Sequence, residues 1–225
     1  MSRSELHKNL AAIGITISSD SFTRSKALRV DIEQTLIEAA QAIGQGDDRR
    51  LLGLILSWIK VHGEIVNMKR LQKLLKQGEA PLWIRLFAFY GLSIGESRWK
   101  ILAKKLDKGT TLANEDLEMA LKRAAFRGEE EWSKDTGFIV ALNSETINEK
   151  FVLSSTQVAQ INLMYRSRLI FGASWRADII TSMALGAKTP TEAARLSRSS
   201  YEPAHRIFKE LEMAGSDSRR LVNLK

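Results

Sequence analysis

Seven polar side chains that can bind phosphate or contact bases lie close together in the last part of the chain. They are Arg198, Ser199, Ser200, Tyr201, His205, Arg206 and Lys209. The first four lie at the N-terminus of a predicted helix, whose free backbone N–H groups would add to their hydroxyl and guanidinium donors. The other three lie on the outer face of that helix. Three less specific interpretations stay open: Ser199 caps the helix, Tyr201 packs against the preceding helix, and the outer face is only solvated.

Two rows of lysines form a second candidate binding region within residues 60–108, where Lys and Arg strongly outnumber Asp and Glu. The rows are Lys69, Lys73 and Lys76, and then Lys100, Lys104 and Lys108. Spacings of three and four residues put each row on one face of a helix. Because like charges at this spacing repel each other, an acidic partner would relieve the repulsion. We therefore expect this basic face to contact a phosphate backbone or an acidic protein.

The residue types that common catalytic and metal sites need are scarce. The chain of 225 residues has no Cys and only 3 His, which excludes thiolate catalysis, disulfides and sulfur-ligated zinc. Residues 91–95 match the G-x-S-x-G pattern of a nucleophile elbow, but that motif follows a strand. The apolar residues between Trp83 and Tyr90 have helical spacing instead. We therefore expect no enzymatic activity, no metal and no cofactor.

The first 127 residues predict a helical bundle or a short helical array. Apolar residues recur there every three or four positions, between glycines and capping residues that begin and end each helix. Asn67 and Asn114 are the predicted caps of two of these helices, and Pro81 suits a first turn. The predicted helices cover residues 25–43, 49–61, 68–77, 82–90, 96–108 and 115–127.

Residues 128–155 interrupt the helical pattern. The segments 137–142 and 151–153 have the composition of strands and surround a polar stretch. This predicts a linker with a small β-hairpin between the helical domain and a C-terminal domain of residues 156–225.

The C-terminal domain predicts four helices. The first, over 158–169, ends at Gly172, and Ser174 then caps a helix over 175–185. Thr189 and Glu192 form a capping box for a short helix over 190–196, with Pro190 at its first position. A longer amphipathic helix over 199–214 follows after a tight turn.

Residues 174–225 resemble the winged helix-turn-helix family of bacterial transcription regulators. The segments that carry the resemblance are 177–180, 191–196 and 199–215, with two alanines before the turn and Leu-Glu-x-Ala-Gly at the end. In this resemblance residues 199–214 are the recognition helix, residues 216–225 supply the wing, and Arg198 or a neighbour replaces the usual turn glycine. It implies DNA-binding roles for Thr191, Arg198, Ser199, Ser200, Tyr201, His205, Arg206, Lys209, Arg219 and Arg220.

The resemblance implies a sequence-specific regulator of transcription that binds double-stranded DNA. Relatives of this kind often act as repressors, and some act as antitoxins. The N-terminal helical domain would then form a homodimer or bind a protein partner. The alternative is a protein-interaction module, in which the winged helix and the basic residues 60–108 bind an acidic protein.

Composition agrees with an acidic partner and with a cytoplasmic protein. The net charge is +8, from 34 Lys and Arg against 26 Asp and Glu. The apolar runs are too short for a membrane helix, and the first residues lack the apolar stretch of a signal peptide. We therefore expect no contact with a membrane.

Overall fold

The structure is a computed structural model that describes residues 2–16, 28–46, 50–77, 81–145, 147–213 and 215. These residues are mostly helical, as predicted, and within them there are 11 α-helices and no β-sheet. The helices are α1 (Arg3–Ala12), α2 (Ile32–Gln45), α3 (Arg50–His62), α4 (Met68–Lys76), α5 (Trp83–Ser93), α6 (Leu117–Arg127), α7 (Ser155–Ile161), α8 (Leu163–Phe171), α9 (Trp175–Ala184), α10 (Pro190–Ser197) and α11 (Tyr201–Met213).

The N-terminal helices form where apolar spacing and caps agree. Asp31 caps α2 by accepting a hydrogen bond from the Gln34 backbone N–H, and Asn67 caps α4 in the same way through Arg70. Helix α3 is buried on most sides, so it lies at the centre of the N-terminal core. Helix α6 begins later than predicted, with Asp116 as its cap in place of Asn114.

The helix predicted over residues 96–108 is wrong. Only a short 3₁₀ helix, Ser97–Ile101, forms there, and the chain then continues to Asp116 without regular helix. The Leu106 backbone N–H donates to the Thr136 carbonyl at 2.7 Å, and the Leu106 side chain lies against Gly137. Burial of Leu106 against a distant segment therefore replaces the helical hydrogen bonds that local spacing favoured.

The β-hairpin predicted within residues 128–155 is not confirmed, because its two halves pair with other segments. Phe138 forms an isolated bridge with Leu112, Ala141 with Glu129, and Val152 with Ile15. Two of these bridges connect the linker to the N-terminal region, and the bridge between Ala141 and Glu129 lies within the linker. None of them extends into a strand among the described residues.

The helix predicted over residues 158–169 is divided in two at Asn162. The backbone of this buried residue is extended, with φ −122° and ψ 117°. Its side-chain oxygen accepts from the Tyr165 N–H at 2.9 Å, and its amide donates to the Val30 carbonyl at 3.1 Å. A short polar side chain thus competes with the helical hydrogen bonds and starts a second helix, α8.

Two apolar clusters form the interior. The larger one joins α1–α5 to Val158 of α7 and Tyr165 of α8. The smaller one joins α9, α10 and α11 to Leu163 of α8. Helix α8 therefore contributes to both clusters and lies between the N-terminal helices and the last three.

Among the described residues, no single helix has both the length and the apolar character to cross a membrane. Two consecutive helical segments, Arg50–Ile65 and Met68–Lys76, are together long and apolar enough, but the chain bends by 117° between them. Within the same ranges, no group of three or more His, Asp or Glu side chains is arranged to hold a metal ion.

Candidate nucleic-acid interface

The last three helices pack through small and aliphatic side chains. Ala193 and Ala194 of α10 are buried against Ile179 and Ile180 of α9. On α11, Ala204, Ile207 and Leu211 form the inner face. Small residues on α10 allow close approach of its neighbours, so α11 is held with its opposite face outwards.

The turn between α9 and α10 follows the predicted capping pattern with one difference. The Thr189 hydroxyl oxygen accepts from the Glu192 N–H at 3.2 Å, and Pro190 is the first residue of α10. The Glu192 carboxylate, however, accepts from the Lys188 N–H at 2.8 Å rather than from Thr189. The side chains of Thr189 and Glu192 therefore both hold the end of the turn that leads into α10.

Arg198 ends α10 in the left-handed region, with φ +58°. This conformation favours glycine and costs an Arg about 1–2 kcal/mol. Surrounding contacts must hold it, because local preference alone would not.

Most of the predicted DNA-binding residues on the last two helices are exposed. The exposed set is Thr191, Arg198, Ser200, Tyr201, His205, Arg206 and Lys209. The Tyr201 ring stacks on the His205 ring with centroids 5.6 Å apart, and 55% of Tyr201 remains exposed. Tyr201 thus contacts His205 of its own helix, and more than half of its surface stays accessible to a ligand.

Capping of α11 by Ser199 is also wrong, because the helix begins two residues later than predicted, at Tyr201. The Ser199 hydroxyl donates to the Ser200 carbonyl at 3.0 Å and accepts from Ser197. Ser199 is thus half-buried and stabilises the turn rather than the helix.

Helix α11 carries a mixture of charges. It contains three carboxylates, Glu202, Glu210 and Glu212, and two cations, Arg206 and Lys209. Arg206 lies 3.8 Å from the Glu210 carboxylate, which also accepts from Arg176 of α9 at 2.7 Å. An electrostatic attraction to phosphate must therefore come mainly from outside α11.

Helix α4, with its lysine row, lies beside the turn that precedes α11. Lys73 Nζ donates to the Arg198 carbonyl at 2.7 Å and lies 5.9 Å from the centre of the Trp175 ring. The Arg198 guanidinium donates to the Gln77 side chain at 3.1 Å. These contacts join the C-terminal end of α4 to the turn between α10 and α11.

The first lysine row is formed and the second is not. Because α4 is helical, Lys69, Lys73 and Lys76 share one face, with Lys69 and Lys76 exposed. Lys100, Lys104 and Lys108 are exposed too, but the helix that would have aligned them is not formed. Arg219 and Arg220, on the predicted wing, lie outside the described residues.

A buried cluster of charged side chains, which the sequence did not predict, joins the N-terminal helices to α8 and α9. We call it the charge cluster; it consists of Asp31, Glu33, Arg70, Arg168 and Asp178. Arg168, with no exposed side-chain surface, donates to both Glu33 oxygens and lies 2.9 Å from Asp178 Oδ1. Arg70 donates to Asp31 and to the Ser197 carbonyl, at the end of α10.

Further polar contacts complete the charge cluster. The Asn67 backbone N–H donates to Glu33 Oε1 at 2.8 Å, and the Asn67 side chain donates to Asp178 Oδ2 at 2.9 Å. The Arg168 guanidinium also donates to the Ile65 carbonyl at 3.0 Å. Each carboxylate thus has several donors, as burial of charge requires.

Burial and pairing have opposite effects on the ionisation of the cluster. Burial raises the pKa of Glu33 even though Arg168 acts to lower it. Burial would also raise the pKa of Asp31, but the Arg70 guanidinium holds it below its ordinary value. Burial would lower the pKa of Arg168, but Asp178 and Glu33 raise it overall. The ion pairs therefore keep Asp31 and Arg168 charged inside the protein.

One signal in the sequence could have revealed the charge cluster. Glu33 lies beside Ile32 and three or four positions before Leu36 and Ile37, on the apolar stripe of α2. Asp178 likewise lies between Ala177 and Ile179. A charge on an apolar stripe indicates a buried partner of opposite charge, although spacing does not say which partner it is.

His62, the last residue of α3, is a buried member of a chain of polar groups. Its Nε2 lies 2.9 Å from the Leu153 carbonyl, and its Nδ1 lies 2.7 Å from the Tyr165 hydroxyl. The carbonyl can only accept, so Nε2 carries the proton and Nδ1 accepts from Tyr165. This chain connects α3 to α8 and the segment before α7.

The G-x-S-x-G match at residues 91–95 comes at the end of a helix and not after the strand that a nucleophile elbow needs. Ser93, in the G-x-S-x-G match, lies at the end of α5 and donates to the Tyr90 carbonyl at 2.8 Å. Gly91 is required by packing, because a Cβ there would lie 2.7 Å from the Trp99 ring. Comparison of the chain with protein-family models, curated proteins and solved structures finds no match.

Proposed function

We propose that the protein is a regulator of transcription that binds double-stranded DNA in a sequence-specific manner. Helices α9–α11 would act as a helix-turn-helix unit, with α11 in the major groove. Repression or an antitoxin-like role would follow from such binding. The observation that carries the proposal is the junction of α4 with the turn before α11, through Lys73, Arg198 and Gln77.

This junction supports a division of roles on one surface. The exposed residues at the start of α11 have donors and an aromatic ring that can contact base edges. The lysine row of α4, alongside, has the positive charge that α11 lacks. The lysines would supply affinity through phosphate contacts, and α11 would supply specificity.

The test of the lysine row measures binding to random-sequence duplex DNA over a range of salt concentrations. Lys69→Gln with Lys76→Gln should weaken binding and lower the slope of log K against log salt by about two, one for each lost phosphate contact. Lys104→Gln with Lys108→Gln removes the same charge from a segment without a helix and is the matched control. Equal losses in both variants would mean that net charge, rather than α4, determines affinity.

The test of α11 uses a duplex selected from a random pool. Arg206 has an exposed side chain and only a long ion pair, so Arg206→Ala should fold normally. It should weaken binding to the selected duplex by about 1–3 kcal/mol and leave random-sequence binding almost unchanged. Equal affinity of wild type and variant for the selected duplex would remove α11 from the interface.

A protein-interaction module is the second candidate, and α6 favours it. Ala120 is the only buried residue of this helix among the described residues, and Phe126 is 89% exposed. Exposed aromatic and aliphatic side chains of this kind often mark contact surfaces between proteins. If the folded protein binds no duplex DNA even at low salt, the basic surface would be assigned to an acidic protein partner instead.

A further inference from the structure

A cavity of about 250 Å³ lies beside the charge cluster, between the N-terminal region and helices α8–α10. Arg29, Asp31 and Arg70 line it from the N-terminal side. Thr181 and Ser182 line it from α9, and Ser197 lines it from the end of α10. The cavity therefore contacts both sides of the junction that positions α11.

The charge cluster beside this cavity has one carboxylate more than it has guanidinium groups. Asp31, Glu33 and Asp178 oppose only Arg70 and Arg168. Asp31 is the one carboxylate of the cluster with appreciable exposure, at 23% of its side chain, and it lines the cavity. The exposed part of the Asp31 carboxylate is where an ammonium group from solution can reach the cluster and pair with it.

The hydroxyl groups of α9 add acceptors for the same ammonium group. Thr181 Oγ1 donates its proton to the Ala177 carbonyl at 2.8 Å, and Ser182 Oγ donates to the Asp178 carbonyl at 2.8 Å. With their protons used inside the helix, both oxygens keep lone pairs for N–H donors. The polar side of the cavity thus accepts hydrogen bonds.

Arg29 and three apolar residues complete the lining of the cavity. Arg29 is exposed, so its guanidinium can bind a carboxylate from solution. Met164, Leu185 and Leu196 supply apolar surface. A ligand that matches this lining carries an ammonium group, a carboxylate and a short aliphatic chain.

We propose that this cavity binds a free aliphatic amino acid. Its ammonium group pairs with Asp31, its carboxylate pairs with Arg29, and its side chain packs on Met164, Leu185 and Leu196. Because Arg70 connects Asp31 to the Ser197 carbonyl, the bound ligand stabilises the turn before α11. The effect on DNA affinity rests on the proposed function, whereas the binding of the amino acid does not.

The test is calorimetric titration of the full chain, without DNA, with L-leucine, L-isoleucine, L-valine and L-methionine. At least one should bind saturably. Two analogues of the amino acid that binds best are then compared with it, one without the carboxylate and one without the ammonium group. Each should bind at least about tenfold more weakly. If none of the four binds, or if an analogue with one charge binds as well as the amino acid, the proposal is wrong.

Two arginine variants complete the test. Arg29→Gln should weaken binding at least about tenfold, because it removes the charge that faces the carboxylate. Arg176→Gln removes an exposed arginine from α9 outside the cavity and should bind as wild type does. Unchanged binding in Arg29→Gln would overturn the proposal. Amino-acid binding by a protein that binds no duplex DNA would support the cavity and refute the proposed function.

Discussion

Helices α9, α10 and α11 pack on one another through apolar side chains, whereas α8 and α9 contact the N-terminal region around buried charges. Apolar packing among the last three helices tolerates changes of similar volume. The charge cluster is directional, because each guanidinium must meet a particular carboxylate. Apolar packing thus forms the C-terminal unit, and the charge cluster fixes its orientation relative to the lysines of α4.

The largest effect is expected from breaking the charge cluster. Arg168→Met would leave Glu33 and Asp178 buried without their main partner and should lower the free energy of unfolding by about 3–5 kcal/mol. The measurement is urea unfolding followed by circular dichroism. Arg176→Met is the control, because its pair with Glu210 is exposed at 47% and 36% and should contribute under about 1 kcal/mol. Similar losses in both variants would contradict the distinction between the two regions.

Disruption of the apolar cluster of α9–α11 should lower stability by a similar amount, but the loss should begin in these three helices. Leu211, 8% exposed on the inner face of α11, contacts the small apolar cluster, so Leu211→Ala should cost about 2–5 kcal/mol. Amide hydrogen exchange should show the loss first in α9–α11 and only later in α2–α5. Met213→Ala, at a position 73% exposed, should change little. Unchanged stability in Leu211→Ala would contradict the packing of the three helices.

A smaller loss of stability is expected from a substitution in the N-terminal core, where two helical glycines lie against tryptophans. A Cβ at Gly91 would lie 2.7 Å from the Trp99 ring, so Gly91→Ala should destabilise the protein by about 1–3 kcal/mol. Gly44 also lies in a helix against a tryptophan, but there the nearest atom of Trp83 would be 3.4 Å away. Gly44→Ala should therefore be neutral or slightly stabilising in thermal unfolding. A reversed order of the two melting temperatures would contradict the close approach at Gly91.

The smallest effect is a dependence of stability on pH. Burial lowers the pKa of His62 from its ordinary value of 6.5, so the unfolded chain binds this proton at higher pH than the folded protein. The stability that neutral, buried His62 gives to the folded protein is fully present above the pKa of the unfolded chain. It is lost as the pH falls below that pKa, by at most about 1.4 kcal/mol per pH unit.

Urea midpoints measured between pH 7.5 and 5, a range of about two to three units around this pKa, give the check. His62→Gln should have a flatter pH profile than wild type, although its stability is lower throughout. His205→Gln, at an exposed position, should keep the wild-type profile. A profile that His62→Gln leaves unchanged would assign the pH dependence to other groups.

The sequence predicted a helix correctly where its apolar spacing and its capping residues agree. Asn67 caps α4, and Thr189 with Pro190 begins α10 as expected. Where a distant contact competed with local spacing, the prediction failed, as at Leu106, where burial against Gly137 replaced a helix. Asn162 is the same kind of failure, since its side chain reaches the Val30 carbonyl.

The candidate interface also has one part that local spacing predicts and another that it does not. The exposed face of α11 follows from helical periodicity, because the inner residues identify the outer ones. Its proximity to α4 does not, since the contacts of Lys73 and Arg198 join residues more than a hundred positions apart. The cavity beside Asp31 could not be predicted either, because its walls come from separate parts of the chain.

The sequence by itself determined a mostly helical chain, the apolar faces of most helices, the caps of α4 and α10 and an excess of positive charge, because these depend on neighbouring residues. Only the tertiary structure decided that Arg168 pairs with Glu33 and Asp178, and that α4 lies beside the turn before α11. Helical spacing fixes which residues share a face. The partner of a buried charge is chosen by the whole fold, because the cost of burial is met only where an opposite charge arrives from elsewhere in the chain.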